Sequence, residues 1–419
     1  MDETRRNVYF LYDLAVFFVW NILKLVALGN PGIRKFVIGR KNTIPYLKRM
    51  RDPEKPLIWI HTASLGEFEQ GSPVLDKLSQ AYPNYQFLVT FFSPSGYEVK
   101  KDALSPHLVA YLPMDSSWNT ATFLSVVRPE IALFVKYEVW PGIYRQMARQ
   151  KIPILLISAI FRKRQAYFKW YGGLLRAALR RVSHFYVQDS RSKKRLLSLG
   201  INKVTVSGDT RFDRVLEVSN TATPLLFMDT FKGNRKCFVA GSSWPVDHRL
   251  IAPYINKAGD GQCFVLAPHK IDPKTIEELE HLLEKKTIRY SNRKAGGLEE
   301  ATVLILDTIG LLSQTYPYAE IAYVGGGFAT GLHNTLEPAV YGIPILIGPG
   351  FHGFLEAEEL VRAGGIQVVH NTTDFAAAVH GLCESPEMRS EMGEINSAYI
   401  QQHKGASDTI VRGVRSVLG

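Results

Sequence analysis

Two carboxylates stand where apolar runs end, and a third opens the helix after a glycine-rich one. The first is Glu67, in "LIWIHTASLGEFEQG" from Leu57 to Gly71. Ser64-Leu65-Gly66-Glu67 has the capping-box spacing, with Ser64 capping a helix and Glu67 reaching back to the cap nitrogen. The same carboxylate, at the carboxyl end of a strand, can instead take a proton as a general base. The second is Glu138, in "FVKYEVWPG" at 134–142, where Trp140-Pro141 ends a strand abruptly. A surface glutamate is the plain alternative. Two carboxylates at strand ends of one half-sheet would line one rim. The third is Glu337, in "YVGGGFATGLHNTLEPAVYGIPILIGPG" at 323–350. There a strand runs into Gly325-Gly326-Gly327, a loop leads to His333-Asn334, and a helix starts near Thr335. Glycines let backbone amides approach a phosphate, and a helix N-terminus favours the anion. Glu337 then either accepts from ribose hydroxyls or complements the helix dipole.

Other strand ends carry weaker signals. "AGSSWPVDH" at 240–248 offers Ser242 and Ser243 to a phosphate or as helix caps, and "LAPHKIDP" at 266–273 puts His269 and Lys270 where a leaving phosphate could be neutralised or where solvent simply meets them. The G-x-G-x-x-G and P-loop spacings are absent. In 161–181, Arg162, Lys163, Arg164, Lys169 and Arg176 alternate with Phe161, Tyr167, Phe168, Trp170 and Tyr171. That mixture suits an anionic amphiphile or a single strand of nucleic acid; an amphipathic helix with a solvated basic face is the bland alternative.

These residues need elements to hold them. Strands are expected at 57–60, 86–92, 108–113, 131–135, 152–160, 184–188 and 203–208, then at 237–242, 263–268, 302–307, 321–326 and 344–349. Continuous apolar strands separated by helical segments indicate parallel sheets covered on both faces. Turn formers in 217–236 separate the two sets. The expected architecture is α/β, with two Rossmann-like domains facing across a cleft after an N-terminal membrane-associated helix. The boundaries fall at 1–50, 51–220 and 221–419. Ligands of such sheets bind beyond the carboxyl ends of the strands.

The chain has 419 residues, 46% of them hydrophobic and 21% charged, with a formal net charge of +11. Such a chain folds, and its basic balance suits nucleic acid, an anionic membrane surface or a phosphorylated substrate. Three cysteines without a CxxC argue against a disulfide framework or a zinc site and indicate buried, inert thiols. Val8 to Leu28 is apolar enough to contact a membrane, and Asp13, Asn21 and Lys24 fall within roughly 80° of one another on a helix. Arg5, Arg6, Arg34, Lys35, Arg40 and Lys41 flank it. The segment reads as a spanning anchor or an interfacial helix, with a buried helix of the soluble fold as the alternative.

In order along the chain stand "HTASLGE" at 61–67, "LPMD" at 112–115, "YEVWPG" at 137–142, "SGDTRFD" at 207–213, "AGSSWP" at 240–245, "GGG" at 325–327, "HNTLEPA" at 333–339 and "GPGFHGF" at 348–354. This series resembles the 3-deoxy-D-manno-octulosonic acid (Kdo) transferases of lipid A biosynthesis, inverting glycosyltransferases of the GT-B fold. The resemblance implies CMP-Kdo as donor, held mainly by the C-terminal half, and the tetraacyl disaccharide bisphosphate precursor of lipid A as acceptor. It implies Glu67 as the catalytic base and Glu138 as a second essential acid. Ser242, Ser243, His269, Lys270, Gly325, Gly326, Gly327, His333, Asn334 and Glu337 fall on the donor side. Ser64, Gly66, Arg162, Lys163 and Arg164 fall on the side of the acceptor and membrane. The family commonly has an acid where this chain has Lys136, an arginine at Ile160, a histidine at Trp244 and an asparagine at Gly353.

No metal-ligand cluster is visible, so neither a metal nor a cofactor is expected. The implied partners are CMP-Kdo, the lipid A precursor and a membrane surface, with no nucleic acid. The implied location is the bacterial inner membrane, catalytic domains on the cytoplasmic side. Rival readings are a GT-B enzyme using another nucleotide sugar, a nucleotide-sugar epimerase, and a non-enzymatic membrane or nucleic-acid binding protein.

Overall fold

The computed structural model describes the backbone of residues 3–329 and 331–419 and, apart from residues 3–6 and Ala295, their side chains. Arg5 and Arg6 of the basic flank therefore lie outside the described side chains. The chain forms two compact units, Met1–Arg214 with Lys404–Gly419, and Val215–His403.

Seven parallel strands build the first sheet: β1 (Leu57–Thr62), β2 (Gln86–Phe91), β3 (Leu108–Tyr111), β4 (Ile131–Val135), β5 (Ile154–Ala159), β6 (His184–Val187) and β7 (Val204–Val206). Their order is β3-β2-β1-β4-β5-β6-β7. β1 pairs with β2 on one side and β4 on the other, so the winding reverses between β1 and β4. That reversal opens a crevice at the carboxyl ends of those two strands.

Both faces of the sheet are buried, which explains the unbroken apolar runs. Trp59, Leu88, Phe123 and Phe134 share one core, and Ile58, Ile60, Val89 and Leu133 the other. Helix α3 (Leu65–Ala81) follows β1 and presents Phe68, Val74 and Leu78 to the second core. Gly71 lets it come close, since a Cβ there would lie 3.2 Å from a Val135 methyl.

The N-terminal helix, α1 (Glu3–Val26), and its successor, α2 (Pro31–Met50), belong to this unit. α1 is attached by a polar edge: Tyr12 donates to Asp115 Oδ2 (2.8 Å), and Asp13 accepts from the Ser117 amide (2.8 Å). Tyr9 is also buried, whereas an apolar face of α1 is exposed, including Phe10, Leu11, Phe17, Phe18, Ile22 and Leu25. Residues 7–26 are long and apolar enough to cross a membrane. In α2, Arg34, Lys35 and Lys41 are exposed, as a membrane flank requires. Arg40 is not: it is buried, donates to the Phe92 carbonyl and lies 3.4 Å from the Phe36 ring centroid. Its guanidinium, surrounded also by Phe92 and Tyr111, ties α2 to the sheet rather than to lipid.

The second unit repeats the design with β8 (Lys236–Ser243), β9 (Gln262–Pro268), β10 (Thr287–Arg289), β11 (Val303–Ile305), β12 (Ile321–Val324), β13 (Ile345–Ile347) and β14 (Ile366–Val368). The order is β10-β11-β9-β8-β12-β13-β14, all parallel, so the reversal lies between β8 and β12. β10 and β14 are three-residue edge strands that are not fully buried, and they lack the apolar runs that announce the others. The three cysteines are free and buried.

From sequence the second domain runs to residue 419, but the chain returns to the first unit at Lys404. The final helix, Ala406–Leu418, places Ile410 and Val414 in the core with Ile58 and Ile60. Its start is held by Asp213, which accepts from the Gly405 amide (2.6 Å) and the Ser407 amide (2.7 Å). Asp213→Ala leaves those donors without their partner and is expected to cost about 1–3 kcal/mol. Urea unfolding followed by tryptophan fluorescence should show the midpoint fall; an unchanged midpoint would mean that the helix is held by its apolar face alone.

Candidate functional site

The first site stands at the β1/β4 reversal. β1 ends at Thr62, the chain turns through Ala63 and Ser64, and Glu67 occupies the first turn of α3. Its side chain is buried, at 6% relative exposure. The anticipated capping box forms only in part. Glu67 Oε2 accepts from the Ala63 amide at 2.6 Å, one residue earlier than expected. Ser64 occupies the N-cap, but its hydroxyl makes no cap bond. Gly66 is exposed beside it.

β4 ends at Val135, and Lys136 turns the chain with a φ of 61°, in the left-handed region. Glu138 follows, and its Oε2 accepts from Trp140 Nε1 at 3.1 Å. His61 Nε2 lies 3.6 Å from that same oxygen. His61 is fully buried at the end of β1, its Nδ1 2.9 Å from Thr90 Oγ1, which also accepts from Trp59 Nε1 at 2.8 Å. A buried polar chain thus runs from the sheet interior to Glu138.

Burial pushes the Glu67 carboxyl up to about 7, and the negative charge of Glu138 adds to the rise. The Ala63 amide and the Lys136 ammonium oppose it. Lys136 is itself lowered by burial, which Glu67 counteracts. A carboxylate poised near neutrality can accept a proton at working pH and release it again.

Asp115 supports the second strand end. It is buried, and burial pushes it up to about 7 although the Gly142 and Ile143 amides donate to it at 2.8 and 2.7 Å. Those amides open the helix Pro141–Arg149, immediately after Glu138. A Cβ on Gly142 would lie 2.6 Å from the Asp115 carbonyl oxygen, so only glycine allows this approach. Since Asp115 also accepts from Tyr12, one carboxylate joins α1 to the segment that carries Glu138. From sequence, His61 and Asp115 are visible only as the first and last letters of "HTASLGE" and "LPMD".

The basic-aromatic stretch 161–181 is neither a single amphipathic helix nor uniformly exposed. It is a loop with a short 3-10 turn at Ala166–Phe168 and a helix at Gly173–Leu179. Phe161 and Tyr167 enter the core, and Arg176 donates to the carbonyls of Tyr167 and Lys169. Arg162, Lys163, Arg164, Trp170 and Tyr171 are exposed.

The second site stands at the β8/β12 reversal. Asp247, in the first turn of the helix Pro245–Lys257, organises it. Asp247 accepts from the Trp244 amide (2.8 Å), the Gly326 amide (3.2 Å) and the Tyr323 hydroxyl (2.7 Å). The Gly325 amide donates to the Gly241 carbonyl. The amides of Gly325 and Gly326 are therefore already used, and the glycines serve close packing. A Cβ on Gly325 would lie 2.4 Å from the Ser242 carbonyl oxygen, and one on Gly327 would lie 2.8 Å from the Gly348 backbone.

Ser243 is buried, and its hydroxyl meets His248 Nε2 at 3.0 Å. Ser242 takes a left-handed φ of 52°. The expected helix at Thr335 is a single turn, Leu336–Ala339, too short for a substantial dipole. Asn334 bridges it, accepting from the Leu336 amide and donating to Glu337 Oε1 at 3.1 Å. His269 and Lys270 are exposed at the end of β9, and the His269 ring lies 4.5 Å from Trp244 and 4.6 Å from His333. Among the described residues no group of three or more His, Cys, Asp or Glu side chains is arranged to hold a metal ion.

Burial of Glu67 sets a stability signature. Its folded carboxyl binds a proton more tightly than the unfolded one, so its contribution to stability falls as pH rises from about 4.5 to about 7. Glu67→Gln removes that loss. The variant should be more stable than wild type at pH 8, by roughly 2–3 kcal/mol at most, with the difference shrinking toward pH 5. Denaturant titrations at the two pH values test this; a variant less stable at pH 8 would mean that Glu67 is held as a favourable ion.

Residues 39–214 match the profile of the family described as 3-deoxy-D-manno-octulosonic-acid transferase, or kdotransferase. The chain is 28% identical over 373 residues to the 3-deoxy-D-manno-octulosonic acid transferase of Haemophilus influenzae, covering 83% of this chain and 84% of that one. It is 26% identical over 416 residues to the enzyme of that name from Chlamydophila psittaci, covering 95% and 94%. Among solved structures, UDP-GlcNAc 2-epimerase of Neisseria meningitidis aligns with a TM-score of 0.62 at 20% identity, over 86% of this chain and 100% of that one; the likeness shows the shared GT-B-type fold. The chain thus carries a region matching the Kdo-transferase family over residues 39–214, is similar to Kdo transferases over most of its length, and folds as two Rossmann-like domains.

Proposed function

We propose that this protein is a Kdo transferase of lipopolysaccharide synthesis, which takes the sugar from CMP-Kdo and delivers it, with inversion, to a hydroxyl of the tetraacyl disaccharide bisphosphate precursor of lipid A. The observation that carries the reading is Glu67, a buried carboxylate at the carboxyl end of β1, raised to about 7 and accepting from the Ala63 amide. The acceptor hydroxyl attacks the anomeric carbon of Kdo and passes its proton to Glu67. The bond from that carbon to the phosphate oxygen breaks, and its electron pair leaves with CMP. A proton acceptor of this kind typically contributes about 10²–10⁴-fold.

Glu138 has two roles in this scheme. Its charge keeps Glu67 basic enough to accept a proton, and the bonds from Trp140 and the nearness of His61 hold it in place. The second domain supplies the donor side, with His333, Asn334, Glu337 and the cation of Lys270 at its strand ends. Arg162, Lys163 and Arg164 face the acceptor phosphates.

The apolar face of α1 lies in the cytoplasmic face of the inner membrane, where the acceptor resides. Its Tyr12 and Asp13 bonds hold that face at a fixed angle to the first domain. Flat insertion of such a helix draws on buried apolar area and on basic residues near anionic lipid. Replacing Phe17, Phe18 and Ile22 together by serine should release the protein from vesicles containing anionic lipid in a flotation assay. Retention equal to wild type would remove α1 from the membrane contact.

The reaction itself is tested by CMP release from CMP-Kdo, with and without the tetraacyl acceptor. Acceptor-dependent release is expected, with kcat/KM rising toward a plateau as pH passes about 7, because a protonated Glu67 cannot act as base. Turnover of a UDP-sugar in place of CMP-Kdo would move the assignment to another GT-B transferase or an epimerase.

A further inference from the structure

Beside the glycine loop of the second domain, Trp244 and His333 form a contact that settles the proton on the histidine. Indole Nε1 lies 3.0 Å from His333 Nε2. The rings are nearly coplanar, 18° apart with centroids at 6.4 Å, so the two nitrogens meet edge to edge. An indole N–H can only donate. His333 Nε2 must therefore accept, and the single proton of the neutral ring sits on Nδ1.

The pair is rigidly seated. The Trp244 amide is held by Asp247, the His333 amide donates to the Gly325 carbonyl at 3.2 Å, and a Cβ on Gly326 would lie 3.0 Å from His333 Cδ2. His269 lies against both rings, and Lys270 Nζ is 5.7 Å from the Trp244 ring. Burial, with His269 adding to it, lowers His333 to about 4, which agrees with a ring that stays neutral. His333 Nδ1 has no hydrogen-bond partner among the described residues.

We propose that Trp244 is a positioning residue that locks His333 in the Nδ1–H tautomer, so that a neutral N–H is offered to an anionic group of the bound nucleotide sugar, its phosphate or its carboxylate. The ligand half rests on the reading of the second domain as the donor side; the tautomer half does not. A neutral, oriented donor stabilises charge growing on a leaving group without itself losing a proton to it. Its tautomer is set in advance by the indole, the way a second-layer bond sets the tautomer of a metal-binding histidine.

The test is two-bond ¹H–¹⁵N correlation on the full-length, ¹⁵N-histidine-labelled protein in detergent, with the His333 signals identified by their loss in His333→Gln. Wild type should show Nδ1 protonated and Nε2 as an acceptor. Trp244→Phe, which keeps a ring against His269 but has no N–H, should shift His333 toward the Nε2–H form and weaken CMP binding roughly tenfold. A wild-type ring protonated on Nε2, or an unchanged pattern in Trp244→Phe, would overturn the tautomer lock. Titration with CMP and with free Kdo separates the anions: movement of Nδ1 with CMP marks the phosphate, movement with Kdo alone the carboxylate. If CMP binds and neither ligand moves Nδ1, the ligand contact is wrong. If CMP does not bind at all, the donor reading fails with it while the tautomer result still stands.

Discussion

Two carboxylates just past the ends of neighbouring strands, one of them buried, impose the central constraint on this protein. A negative charge out of water is costly unless something compensates it. Glu67 has one amide and a partly buried lysine for compensation, set against burial and the charge of Glu138, and the balance leaves it near 7. That balance exists only because β1 and β4 are adjacent and parallel, so that their ends reach the same rim. The adjacency follows from the reversal of strand order, and the reversal from helices that cover both faces of the sheet. The polar chain through Trp59, Thr90 and His61 brings the His61 ring to within 3.6 Å of Glu138 at the strand end.

The second domain uses the same topology for a different task. Asp247 is spent on structure, holding the Trp244 and Gly326 amides and the Tyr323 hydroxyl. What the rim presents is a set of donors and aromatic faces, fit to bind an anion and a nucleotide. Under the proposed function, base chemistry and leaving-group chemistry would be divided between two sheets of the same kind, each placed by the end of a strand at a switch point.

Much of this was legible from residue order. The buried strands read as apolar runs, and Glu67, Glu138 and Gly325-Gly326-Gly327 read as strand-end features because the physics that buries a parallel strand also fixes where it stops. The partners of these groups were less legible. Glu67 stands at the ideal third position after the Ser64 cap yet accepts from the Ala63 amide rather than from Ser64, a difference of backbone geometry that residue types do not encode. The glycines were expected to free their amides for phosphate, yet the amides of Gly325 and Gly326 are bound and the glycines are needed for close approach. Arg40 looks like a membrane cation in the chain and proves to be a core residue, because Phe92 and Tyr111 from distant segments converge on it beside Phe36 of its own helix. The last helix crosses back to the first unit through Asp213, a pairing between positions almost two hundred apart that no local pattern announces.

The measurement that bears most directly on the account is single-turnover transfer from CMP-Kdo to the tetraacyl acceptor by wild type and Glu67→Gln, both confirmed folded and both saturated with donor. Loss of the base predicts a fall of about 10²–10⁴-fold in the transfer step with donor binding unchanged. Equal rates in the two proteins would contradict it, leave Glu67 as an element of the α3 turn alone, and pass the proton to Glu138.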